Sequence, residues 1–120
     1  MNIAIVDDSR EEQQIIHNAV ADWAEKSHQR LNFSIYDNGE SFIADLDSHS
    51  FDIVFMDIYM DKLSGIETAK VLRNHSLETI LIFMTTSQEH MAQAFPCHAF
   101  DYIMKPIDIS RLCKTLDEAL

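Results

Sequence analysis

Cysteine, glycine and proline each occur only twice in these 120 residues, and basic residues number nine. Cys97 and Cys113 are too few and too widely spaced for a disulfide framework or a zinc cluster, which predicts a reduced, cytoplasmic protein. Nine Lys and Arg against twenty Asp and Glu give a formal net charge of -11, a sign that repels polyanions and excludes direct nucleic-acid binding by this segment. An apolar run of 18 residues is missing, as is a signal-like leader, so no membrane partner is expected. Repeats, low-complexity tracts and linkers are absent as well. With 47% hydrophobic residues, the length suits one domain over residues 1–120 around a single core.

What is present is an alternation of two hydrophobic periods. Short apolar runs at Asn2 to Val6, Asn32 to Tyr36, Phe51 to Met56, Thr79 to Met84 and Phe100 to Met104 have strand length and are rich in Ile, Val, Phe or Tyr. Between them, Ile15, Ile16, Ala19, Val20 and Trp23 recur at helical steps, as do Ile109, Leu112, Cys113, Leu116 and Leu120. Asp8 or Ser9 caps the first of these helices and Asp108 the last. Phe42 with Leu46, Ile66 with Ala69 to Leu72, and Met91 with Phe95 mark three shorter helices, while "DLDSHS" (45–50) and "HSLET" (75–79) read as solvated connections. Strands alternating with helices predict an α/β sandwich, with a parallel sheet covered on both faces and a functional crevice beyond the carboxyl ends of its strands.

Those ends carry Asp7 and Asp8, then Asp57, then Thr85 and Thr86, then Lys105 and Pro106. Three clustered carboxylates repel one another unless a cation joins them, and an oxygen-only set without His or Cys suits Mg²⁺. Such an ion usually accompanies a phosphoryl group, and an aspartate can take that group as an acyl phosphate. The six histidines (His17, His28, His49, His75, His90 and His98) fall in separate segments without ligand spacing and read as ordinary residues. Met56, Met60, Met84 and Met104 read as core filler, and Trp23 as a core anchor.

The ordered set Asp7-Asp8, Asp57, Thr85, Tyr102 and Lys105-Pro106 resembles the receiver domain of two-component response regulators, from residue 1 to about residue 118. The resemblance implies a flavodoxin-like (βα)5 fold of strand order 2-1-3-4-5. It implies Asp57 as phosphoacceptor, and Mg²⁺ held by Asp7, Asp8, Asp57 and the backbone carbonyl of Tyr59. Lys105 and Thr85 then contact the phosphoryl group, Tyr102 turns inward in response, and the Lys105–Pro106 peptide is cis. The implied donor is a histidine kinase, with homodimerisation on phosphorylation.

The stretch "IFMTTSQEHMAQAFPCHAFDYIMKPI" further resembles receivers that precede a LytTR-type DNA-binding domain, which implies a transcriptional output outside this segment. The chain stops at its fifth helix, so it is read either as a receiver separated from that output or as a stand-alone receiver acting by protein contact. Three positions depart from the usual receiver pattern: Asp61 where Pro is frequent, Thr86 where a small residue is usual, and His98 where Gly often ends a helix. Two residues past the acceptor and two past the switch threonine stand Tyr59 and Ser87, a bulky ring and a weak base, which predicts slow self-dephosphorylation.

Two rivals fit less well. A haloacid-dehalogenase-like phosphatase has a second Asp two residues after its nucleophile, where this chain has Tyr59, and a general acid for turnover is missing. A flavodoxin-like FMN binder needs a Ser, Thr and Gly-rich loop after strand one, where "VDDSREE" supplies carboxylates that repel phosphate.

Overall fold

The structure, a computed structural model, describes residues 1–89 and 91–120. His90 lies outside the described residues. The elements alternate: β1 (Asn2–Val6), α1 (Arg10–Lys26), β2 (Asn32–Tyr36), α2 (Gly39–Asp45), β3 (Ile53–Asp57), α3 (Gly65–His75), β4 (Ile80–Thr85), α4 (Met91–Ala94) with a 3-10 turn (Phe95–Cys97), β5 (Asp101–Met104) and α5 (Ile109–Ala119). The strands form one sheet, all pairs parallel, in the order β2-β1-β3-β4-β5, so chain order reverses between β1 and β3.

Successive strand residues point to opposite faces, and both faces are covered. Ala4, Val6, Val54, Met56, Leu81 and Phe83 pack with Phe42, Ile66 and Leu72 of α2 and α3. Ile3, Ile5, Ile53, Phe55, Ile82 and Met84 pack with Ile16, Trp23, Leu112 and Leu116 of α1 and α5. Double burial explains why β1, β3 and β4 read as unbroken apolar runs, whereas the edge strands β2 and β5 are only partly buried. Trp23 also donates from Nε1 to Asp117 Oδ1 (2.8 Å), which ties α1 to α5. Among the described residues no helix is long and apolar enough to cross a membrane.

Local chemistry fixes the helix starts. Ser9, not Asp8, caps α1 by accepting from the Glu12 N–H; Asn38 and Asp108 cap α2 and α5, and Ser64 with Glu67 forms a reciprocal capping box on α3. The last three strands begin one or two residues later than their apolar runs suggest. Phe51 is buried but precedes the β3 ladder, whereas Asp57 and Thr85 pair in register with Met84 and Met104 and are strand residues. Burial marks where a side chain goes; pairing depends on the backbone.

Other departures have similar causes. Ile15, Ile109 and Leu120 carry helical periodicity yet are exposed at the margins of their faces. Met91 and Phe95 do not pack as a helix face: α4 has four residues before the Pro96 turn, and Phe95 is 79% exposed. Within the two segments read as solvated, Leu46 and Thr79 are buried, and Thr79 Oγ1 donates to the Phe51 carbonyl (2.9 Å).

His98 adopts the left-handed conformation (φ 54°, ψ 47°) at the position where a helix-ending glycine is frequent. Arg73 secures this corner from α3. Its guanidinium donates to the carbonyls of Cys97 (2.6 Å), Ser76 (3.2 Å), Thr79 (2.7 Å) and His98 (2.9 Å).

Candidate functional site

At the carboxyl edge of the sheet, β1 and β3 are neighbours, so the residues that end them meet. One carboxylate oxygen from each of Asp7, Asp8 and Asp57 lies within 4.8 Å of the others. Asp7 is fully buried and Asp57 is 4% exposed, while Asp8 faces solvent. Lys105, at the end of β5, crosses the edge and places Nζ 2.9 Å from Asp7 Oδ2 and 3.5 Å from Asp57 Oδ1. The peptide following it, Lys105–Pro106, is cis.

Burial raises the pKa of Asp57 to about 6, and the neighbouring charges of Asp7 and, more weakly, Asp8 add to this. The Lys105 ammonium and a hydrogen bond from the Tyr59 N–H to Asp57 Oδ1 (3.3 Å) oppose the shift without cancelling it. For Lys105, burial disfavours the charge. The bond to Asp7 and the charges of Asp57 and Asp7 outweigh that, and its pKa ends above the ordinary lysine value. A crowded, oxygen-only carboxylate set with an unusually basic acceptor is the donor chemistry that fits a hard divalent cation such as Mg²⁺.

The expected switch residues lie one step outward. Thr85 is fully buried, and its Oγ1 accepts from the Ser87 N–H (3.3 Å). Tyr102, on β5 beside Phe83, is not part of the acidic cluster; its hydroxyl donates to the Ser87 carbonyl (2.8 Å). The two are therefore joined through Ser87. Thr86 is exposed. Tyr59, 42% exposed, begins the loop after Ile58, and Gly65 closes that loop by donating its N–H to the Ile58 carbonyl (2.9 Å). A Cβ on Gly65 would fall onto the Asp57 carbonyl and Ile58 Cα, so only glycine lets α3 start this close to the acceptor.

Two residues were missed. Asp37 follows β2 just as Asp7 follows β1, and Gln13, on α1, donates from Nε2 to both the Asp7 carbonyl (2.6 Å) and Asp37 Oδ1 (2.7 Å). The strand-end rule applied to β2 finds Asp37; nothing in the sequence marks Gln13. A groove of about 820 Å³ lies away from Asp7, Asp8 and Asp57, between Arg73, Phe95, Phe100, Tyr102 and Arg111.

Residues 3–117 match the family described as response regulator receiver domain. An uncharacterised response regulatory protein of Vibrio cholerae is 37% identical over 87 residues, which is 70% of this chain and 33% of that protein. The transcriptional regulatory protein YpdB of Escherichia coli is 29% identical over 119 residues, 98% of this chain and 47% of its own length. The chain thus spans half or less of these curated relatives. Among solved structures, the response regulatory domain of mrkE from Klebsiella pneumoniae superposes with a TM-score of 0.86 at 28% identity, covering 99% of this chain and 94% of that one. TrrA from Thermotoga maritima, solved with Mg²⁺ and BeF, gives a TM-score of 0.85 at 21% identity, covering 99% and 98%; its likeness is one of fold.

Proposed function

Because the chain belongs to the response regulator receiver family of two-component signalling, we propose that residues 1–120 form one receiver domain in which Asp57 accepts a phosphoryl group from a histidine kinase. The observation that carries this reading is the convergence of Asp7, Asp8 and Asp57 with Lys105 at one sheet edge. Asp7, Asp8, Asp57 and the Tyr59 carbonyl would hold Mg²⁺, which neutralises charge on the transferring phosphoryl oxygens.

The chain's own residues do the rest. With a pKa of about 6, Asp57 is mostly ionised at neutral pH, and one oxygen attacks phosphorus as the donor's P–N bond breaks. Lys105 moves from the two carboxylates to the new phosphoryl oxygens. Thr85 turns its hydroxyl from the Ser87 N–H toward the same group, and because Tyr102 is bonded to the Ser87 carbonyl, that movement reaches β5. The family is not one of conventional turnover enzymes. Self-phosphorylation from small donors and slow self-dephosphorylation belong to this proposal.

We further assign the output to a DNA-binding, transcriptional domain of LytTR type outside this segment, in a cytoplasmic protein. The likeness to YpdB supports this reading. The groove beside Tyr102, with Phe95 and Phe100 exposed on it, supports homodimerisation on phosphorylation, and serves equally a stand-alone receiver acting by protein contact. The test is incubation with Mg²⁺ and acetyl phosphate followed by intact-mass measurement. One added phosphoryl group is expected, absent from Asp57→Asn and from samples in excess chelator; labelling that survives either condition overturns the assignment.

A further inference from the structure

Every polar atom of Asp7 is engaged. Its N–H donates to the Tyr36 carbonyl (3.0 Å), Oδ1 accepts from the Ser9 N–H (2.9 Å), Oδ2 accepts from Lys105 (2.9 Å), and the carbonyl accepts from Gln13 (2.6 Å). Asp8 is different. Among the described residues no hydrogen bond or ion pair holds its exposed carboxylate, so its place is set by the backbone that leads into it. That backbone begins at the carbonyl held by Gln13.

We propose that Gln13 is a positioning residue for metal loading, whose amide clamps the Asp7–Asp8 corner to Asp37 and so fixes where both N-terminal carboxylates point. The inference rests on the metal-dependent reading above. Gln13 is only 7% exposed, and its amide group has two hydrogens to give. Nε2 lies within bonding distance of two acceptors, one of them a carboxylate, which makes that bond the stronger kind. Asp37 stands outside the group of converging carboxylates and serves as an anchor, not a ligand. Mg²⁺ tolerates little departure from octahedral geometry, so ligand direction counts as much as ligand charge. A glutamine at this place supplies direction without adding a charge.

The experiment is calorimetric titration of the chain with Mg²⁺, paired with acetyl phosphate labelling rates at saturating Mg²⁺. Gln13→Leu, which keeps bulk but removes the donor, should weaken Mg²⁺ binding by about tenfold, the scale typical of groups that orient metal ligands. Its labelling rate at saturating Mg²⁺ should stay within about twofold of the parent, because the ligands themselves are intact. Asp37→Ala should also weaken binding, while Asp37→Asn, which keeps an oxygen to accept from Gln13, should restore most of the loss. Unaltered affinity in Gln13→Leu overturns the proposal, as does a defect confined to the saturated rate or an Asp37→Asn as weak as Asp37→Ala. Melting curves check that Gln13→Leu folds; if it does not, the exposed Asp37 pair decides alone. A parent chain that binds no Mg²⁺ overturns the metal reading together with the brace, whereas a parent that binds beside variants that bind equally overturns the brace only.

Discussion

Replacing Asp57 by Asn should make the metal-free chain more stable at neutral pH. Folding raises the pKa of this carboxyl from 3.8 to about 6, so the folded state holds its proton more tightly than the unfolded state does. A group raised in this way gives its full stabilising contribution below pH 3.8, and that contribution is lost as pH climbs through 6. Roughly two pKa units at about 1.4 kcal/mol each set an upper bound of about 3 kcal/mol for the penalty at pH 7.5. Asparagine removes the penalty but also deprives Lys105 of a partner at 3.5 Å, leaving a net gain of about 1 to 2 kcal/mol. For a chain of this size that corresponds to roughly 4 to 10 °C in melting temperature. Thermal melts of both proteins in chelator, from pH 4 to 8, give the readout. The curves should separate above pH 5, converge near pH 4, and close again at pH 7.5 in excess Mg²⁺, which stabilises only the parent's complete site. Equal stability at pH 7.5 in chelator, or a gap that persists unchanged at pH 4, would refute the reasoning.

Three further outcomes follow from the geometry. Asp8→Ala should weaken Mg²⁺ binding by at least about tenfold in calorimetry because it removes a ligand charge, while His17→Ala, on the distant α1–β2 contact with Phe33, should not; equal losses would move the metal elsewhere. Tyr59→Asn should open the water approach and speed decay of the phosphorylated chain by about 10-fold, on the order of 1.4 kcal/mol, measured after donor removal; an unchanged decay would clear this side chain of guarding the site. Gly65→Ala should cost about 1 to 3 kcal/mol in urea unfolding, since the new methyl meets the Asp57 carbonyl and the backbone at Ile58, and a loss below about 0.5 kcal/mol would show that α3 can shift away freely.

The sheet was legible because a strand buried on both sides leaves an unbroken apolar run, as in β1; the edge strand β2, only partly buried, was legible from its β-branched and aromatic residues, and both match their runs to the residue. Asp7, Asp57 and Lys105 were legible because parallel strands bring their carboxyl ends together whatever the loops do. The region from Met91 to Phe100 was not. Its large apolar residues Met91, Phe95 and Phe100 are exposed while the small Ala94 and Cys97 are buried, and periodicity cannot distinguish a face that meets the core from one that meets solvent. Gln13 was invisible for another reason: a neutral amide one turn into a helix has no pattern, and only its two acceptors, 6 and 24 residues away, give it meaning.

The corner held by Arg73 distributes its sequence requirements unevenly. All four groups it binds are main-chain carbonyls, of Ser76, Thr79, Cys97 and His98, and a carbonyl is present whichever side chain a position carries. Those positions can therefore drift as acceptors without weakening the attachment. The donor has no such latitude: a lysine there would bring one compact ammonium in place of a planar fork with five N–H groups. Whatever else holds the identities of Ser76, Thr79, Cys97 and His98, the fastening itself reads the side chain of Arg73 alone.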